Sequence, residues 1–106
     1  MLSDTHILEL AARLHAAAPS GSEVVLFGSY ALGQAGQDSD VDFLVIEPQV
    51  ANRFGEMVRL RRVLKGTPVG VDILVIGRDA YAKWRQIPSS IYGSMEKEGK
   101  SLSHVA

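Results

Sequence analysis

A chain of 106 residues suits one domain with a modest core, and a net charge of −1 gives it no global pull toward nucleic acid or anionic membrane. The absence of cysteine excludes disulfides, thiolate catalysis and Cys-ligated zinc, and fits a reducing compartment. No apolar run approaches the ~20 residues that would cross a bilayer, and Met1 to His6 lacks the basic region of a signal peptide, so a cytoplasmic protein without membrane contact is expected.

Ser3 or Asp4 can cap a predicted helix that runs to about Ala18. Its apolar stripe is Ile7, Leu10, Ala11, Leu14 and Ala18, and Pro19-Ser20-Gly21-Ser22 ends it. Val24 to Phe27 reads as a short buried strand. Tyr30 to Leu32 reads as the first turn of a helix closed by Gly33, and residues 34–38 as a polar loop. Val41 to Ile46 is the second predicted strand, stopped by Glu47-Pro48. From Val50 to Lys65 the period is again helical, with Val50, Phe54, Met57, Val58 and Leu64 forming the expected core face. Arg53, Arg59, Arg62 and Lys65 read as its solvated side. Gly66-Thr67-Pro68 breaks it, and Val71 to Ile76 is the third strand. A helix carrying Tyr81 and Trp84 ends at Pro88. A last helix starts at Ser89 or Ser90, carries Ile91, Tyr92 and Met95, and meets Gly99 at its C′ position. The tail from Lys100 carries no signal. The three histidines, His6, His15 and His104, have no metal-ligand spacing. Nothing marks an internal boundary, so residues 1–106 read as a single domain.

The runs Val41-Asp42-Phe43-Leu44-Val45-Ile46 and Val71-Asp72-Ile73-Leu74-Val75-Ile76 share the pattern Val-Asp-x-Leu-Val-Ile. Two such strands joined by a helix make a right-handed βαβ unit with parallel strands. Parallel pairing would bring Asp42 and Asp72 to the same sheet end, and strand alternation puts Asp40 on the side of Asp42. The Gly28-Ser29 turn, however, follows the end of its strand. It meets the aspartates only if that first strand is antiparallel to the others. The expected fold is therefore α/β (α+β), with a small mixed sheet.

Three carboxylates at one sheet end repel each other, and a divalent cation would reverse that cost. Mg²⁺ takes oxygen ligands, commonly one or two carboxylates plus substrate phosphates. Two such ions about 3.5–4 Å apart would serve in-line displacement at phosphorus. Gly28 lets backbone approach a phosphate, and the Ser29 hydroxyl can donate to it.

The composite pattern resembles the nucleotidyltransferase superfamily that shares the DNA polymerase β catalytic fold. It consists of Gly28-Ser29, ten residues, then Asp40-x-Asp42, with Asp72 opening a matching strand. At this length the chain looks like a minimal nucleotidyltransferase, the antitoxin of HEPN/MNT toxin–antitoxin pairs. The resemblance implies nucleotide binding at Gly28 and Ser29. It implies two Mg²⁺ ions at Asp40, Asp42 and Asp72, which are also the expected catalytic residues, with ATP as substrate. It further implies transfer of AMP to a tyrosine of a HEPN ribonuclease toxin, with no stable nucleic-acid binding of its own. Two alternatives stand beside it: a non-catalytic antitoxin acting by occlusion, and a small-molecule nucleotidyltransferase subunit of the aminoglycoside type. The chain departs from many relatives in carrying Leu32 in place of an arginine, inside Gly-Ser-x-Ala-Arg-Gly. Leucine cannot donate to phosphate; Arg59 and Arg62 are the candidates to restore the charge.

Overall fold

Both Val-Asp-x-Leu-Val-Ile runs become strands, because β-branched residues pack well on a pleated, doubly covered surface. The computed structural model describes residues 1–102. Along it lie α1 (Asp4–Ala17), β1 (Glu23–Phe27), β2 (Val41–Glu47), α2 (Arg53–Val63), β3 (Val71–Gly77), α3 (Arg78–Trp84), α4 (Ile91–Glu98) and β4 (Lys100–Ser101). The strands form one sheet in the order β3-β2-β1-β4. β2 and β3 are parallel and in the register of their shared pattern, Val41 opposite Val71 and Asp42 opposite Asp72. β1 runs antiparallel to β2, with Phe27 opposite Asp42. The sheet is mixed, as the position of the Gly-Ser turn requires.

Alternation along the strands divides the core in two. Val41, Phe43, Val45, Val71, Ile73 and Val75 face α1 and α2, meeting Leu10, Leu14, Leu60 and Leu64. The opposite face carries Leu44 and Ile46, packed with Ile76, Tyr81 and Met95. α3 and α4 supply Tyr81 and Met95 from beyond the carboxyl ends of β2 and β3, so the start of these strands stays open on that face.

Several elements differ from the sequence expectation. No helix follows the Gly-Ser turn. Residues 29–33 make one hydrogen-bonded turn, with Leu32 N–H donating to the Gly28 carbonyl at 3.2 Å and Gln34 N–H to that of Ser29 at 2.9 Å. Gly33, at φ +70, stops it. α2 starts at Arg53 because the Asn52 side chain accepts from Gly55 N–H and caps it there. Its core side is Met57, Leu60 and Leu64, whereas Phe54 is 75% exposed and Val58 lies outside the core. Gly99 caps α4 in an extended conformation, φ −73, and not in the left-handed one. Lys100 and Ser101 add a short strand to the outer edge of β1 that the sequence does not signal. Among the aromatic and apolar residues of the last two helices and their connection, Tyr81 and Met95 are buried, while Trp84, Ile87 and Ile91 are exposed. His104 lies outside the described residues. Among the described residues no helix is long and apolar enough to cross a membrane.

Candidate functional site

The start of β2 and β3 and the end of β1 converge on the open face of the sheet. Asp42 and Asp72 stand side by side there, one on each parallel strand. Their carboxyl groups are within hydrogen-bonding reach, and Asp40 is close enough to add its charge. Partial burial first, then the neighbouring charges of Asp72 and Asp40, push the Asp42 carboxyl up to about 6.

Two glycines make room for these side chains. Gly28 sits at φ +74, which side-chain-bearing residues rarely adopt, and a Cβ there would collide with Asp42 Oδ2. A Cβ at Gly70 would collide with Asp40 Oδ1. The Gly28 turn and the Asp42 carboxylate therefore touch, and Asp40 is seated against the residue that leads into β3. Gly70 gave no sign of this in the sequence; only the approach of Asp40 gives it a role.

The Gly28–Gly33 turn spends the N–H groups of Ala31, Leu32, Gly33 and Gln34 on its own carbonyls. Among the described residues no protein group bonds the half-buried Ser29 hydroxyl. Tyr30 ties the turn to the N-terminus, its hydroxyl accepting from Leu2 N–H at 3.0 Å.

The donor set fits a hard cation such as Mg²⁺, since all three candidates offer carboxylate oxygens and two of them are already in contact. As placed, no three His, Cys, Asp or Glu side chains of the described residues form a ready-made cage, with Asp40 lying against Gly70. Mg²⁺ does not demand an all-protein cage; one or two carboxylates suffice when substrate phosphates complete its shell.

A cleft of ≈ 430 Å³ opens beside the aspartates, bounded by Phe27, Asp42, Phe54, Val58, Arg61, Asp72 and Leu74 among others. Its cation is Arg61, which the sequence reading passed over for Arg59 and Arg62. Arg59 is taken up by Glu56, donating to both carboxylate oxygens at 2.6 and 2.8 Å. Arg62 lines a neighbouring cavity instead. Leu32 is 45% exposed, and neither cleft includes it.

A family model for the nucleotidyltransferase domain matches residues 7–102. The chain belongs to that family. Solved structures agree with the fold. A protein assigned as a nucleotidyltransferase from Sulfolobus solfataricus is 26% identical, with a TM-score of 0.57 over 74% of this chain and 70% of that one. A toxin–antitoxin structure with AMP-PNP is 22% identical, with a TM-score of 0.54 over 95% of this chain and 73% of its own. A mutant of the toxin–antitoxin pair MntA-HpeT with two aspartate-to-glutamate changes is 23% identical, at a TM-score of 0.53 over the same shares of the two chains, 95% and 73%. Among curated proteins no match is found. Membership places the Gly-Ser turn and the paired aspartates within a nucleotidyltransferase domain.

Proposed function

We propose that this nucleotidyltransferase domain transfers AMP from ATP to a hydroxyl of a partner protein, a tyrosine of a HEPN ribonuclease toxin, and so acts as its antitoxin. One observation carries the reading: Asp42 and Asp72 meet on one sheet face against the Gly28 turn. The toxin–antitoxin neighbours support the partner. One of them holds an ATP analogue, and another was altered at two aspartates separated by one residue, the spacing of Asp40 and Asp42.

In this reading Gly28 and Ser29 bind the triphosphate, through unobstructed backbone and the free hydroxyl. Asp40, Asp42 and Asp72 would hold Mg²⁺, which when bound supplies positive charge against the phosphates and the departing pyrophosphate. Asp72, on the outer strand, faces the incoming hydroxyl and accepts its proton. The acceptor oxygen then bonds to the α-phosphorus as the bond to pyrophosphate breaks. On the toxin, the added AMP brings charge and bulk that oppose RNA binding. The chain works in the cytoplasm, where ATP and the toxin are.

A second reading, neutralisation by occlusion alone, is favoured by the exposed Leu32, which leaves the turn without the arginine of many relatives. Labelled ATP, Mg²⁺ and the product of the neighbouring gene separate the two. Label on the partner that vanishes with Asp42→Asn supports transfer. Inhibition of the toxin without label, unchanged in that variant, supports occlusion.

A further inference from the structure

The sheet order gives the site two sides. The Gly28 turn leaves β1, on one side of β2, and Asp72 starts β3, on the other. If phosphates lie at the turn, as the transferase reading holds, the acceptor comes in past Asp72. There the cleft continues into a second cavity of ≈ 490 Å³, the two sharing Val58 and Arg61.

The lining of this groove is polarised. One pole holds Asp42 and Asp72; along the other stand Arg61, Arg62 and Lys65. These cations differ from most of the chain's arginines. Arg13, Arg53 and Arg78 donate to backbone carbonyls, and Arg59 and Arg85 face glutamates. Among the described residues, the side chains of Arg61, Arg62 and Lys65 have no hydrogen-bond or ion-pair partner. Between the poles the wall is apolar, including the exposed Phe54 and Val58 of α2.

The groove also presents backbone. β3 is the outer strand of the sheet, and the Val75 carbonyl accepts from Arg53 Nε at 2.6 Å, so it points away from β2. Strand geometry turns the N–H and C=O of Ile73, two residues earlier, to the same outer side, and Ile73 lines the cleft.

We propose that this groove docks the acceptor as an extended, acidic stretch of polypeptide. Its hydroxyl reaches Asp72, its carboxylates meet Arg61, Arg62 and Lys65, and its backbone runs beside Ile73. Polypeptide is favoured over RNA because the outer edge of β3 offers N–H and C=O groups that match peptide backbone. The inference rests on the transferase reading for which end faces the nucleotide, but its docking test does not depend on transfer.

Two fluorescent peptides, each with a central tyrosine, one flanked by Asp and Glu and the other by Lys, are titrated against the full chain by anisotropy. A single-stranded oligoribonucleotide is a third probe. The acidic peptide is expected to bind at least tenfold more tightly than the lysine one. The combined variant Arg61→Glu, Arg62→Glu, Lys65→Glu should reverse that order while keeping the far-ultraviolet circular dichroism of the folded chain. A control with the same charge change elsewhere, Lys83→Glu, Lys97→Glu, Lys100→Glu, should keep the wild-type order. Equal binding of both peptides would overturn the proposal. So would an acidic preference that survives the groove charge swap, or RNA binding through the same three cations in place of peptide. An acidic preference in an unmutated chain that passes no label from ATP to any acceptor sinks the transferase reading and leaves the groove standing.

Discussion

At the scale of single residues, the crowding of Asp42 sets its behaviour. Its folded pKa, about 6, lies above the unfolded value of 3.8. The stability this group lends is therefore complete below the lower value and is lost as pH rises through the higher one. Asp42→Asn removes an ionised carboxylate that is unwelcome at neutral pH. The expected outcome is a metal-free melting temperature at pH 7.5 higher by about 2–5 °C, discounted for solvent screening, together with at least ~100-fold loss of transfer. Thermal scans and a labelled-ATP assay check the two halves; an unchanged transfer rate would remove Asp42 from the site. Gly28→Ala probes the same contact from the other side. It costs about 1–2 kcal/mol for the left-handed backbone, and its methyl group displaces the Asp42 carboxylate. Denaturant unfolding reads the first effect. Loss of ATP-dependent stabilisation reads the second.

At the scale of elements, the junction of β2 and α2 holds a titrating device away from the candidate site. Glu47 ends β2 and is 2% exposed. Among the described residues its Oε2 has no hydrogen-bond partner, while the Glu56 carboxylate of α2 stands beside it. Two carboxylates cannot bond without a proton, so Glu47 keeps one. Burial first, then Glu56, push it up to about 8. Glu56 is held down at about 2, chiefly by its bond to Arg59. The sign follows for Glu47: its contribution is complete below about 4.5 and is lost as pH rises toward 8. Glu47→Gln keeps a neutral donor at every pH. The difference in unfolding free energy between variant and wild type should therefore grow across this window, by at most about 1.4 kcal/mol per pH unit for one proton. A parallel pair of stability–pH curves would show that Glu47 does not titrate there. On the same helix, Leu60 is fully buried beneath the sheet. Leu60→Ala should cost about 2–5 kcal/mol in urea unfolding, whereas Val58→Ala, on the cleft side, should cost much less.

At the scale of the whole molecule, the mixed sheet makes one open face at the amino ends of its parallel strands. Doubly wound proteins use the carboxyl ends, but here α3 and α4 cover the open face's far end with Tyr81 and Met95. Nucleotide bound at the site should raise the melting temperature in the presence of Mg²⁺ and not with EDTA. A thermal shift with ATP, with and without metal, measures this, and equal curves would move weight to occlusion.

Sequence alone determined the strand pair, because Val-Asp-x-Leu-Val-Ile written twice specifies both register and parity, and so which residues share a face. It also determined that β1 had to run antiparallel, since the glycine turn and the aspartates meet in no other arrangement. Alternation and spacing are local rules, readable without coordinates. Tertiary structure decided what depends on neighbours distant in the chain. It set Asp40 against Gly70, sent Arg59 to Glu56, and turned Phe54 out of the core. It stopped the helix expected after Ser29 at one turn, and it brought Lys100 and Ser101 to the edge of β1. A helical period fits more than one rotation of α2, and only packing of Leu60 and Leu64 against β2 and β3 selected the one that turns Arg61 into the cleft the aspartates line.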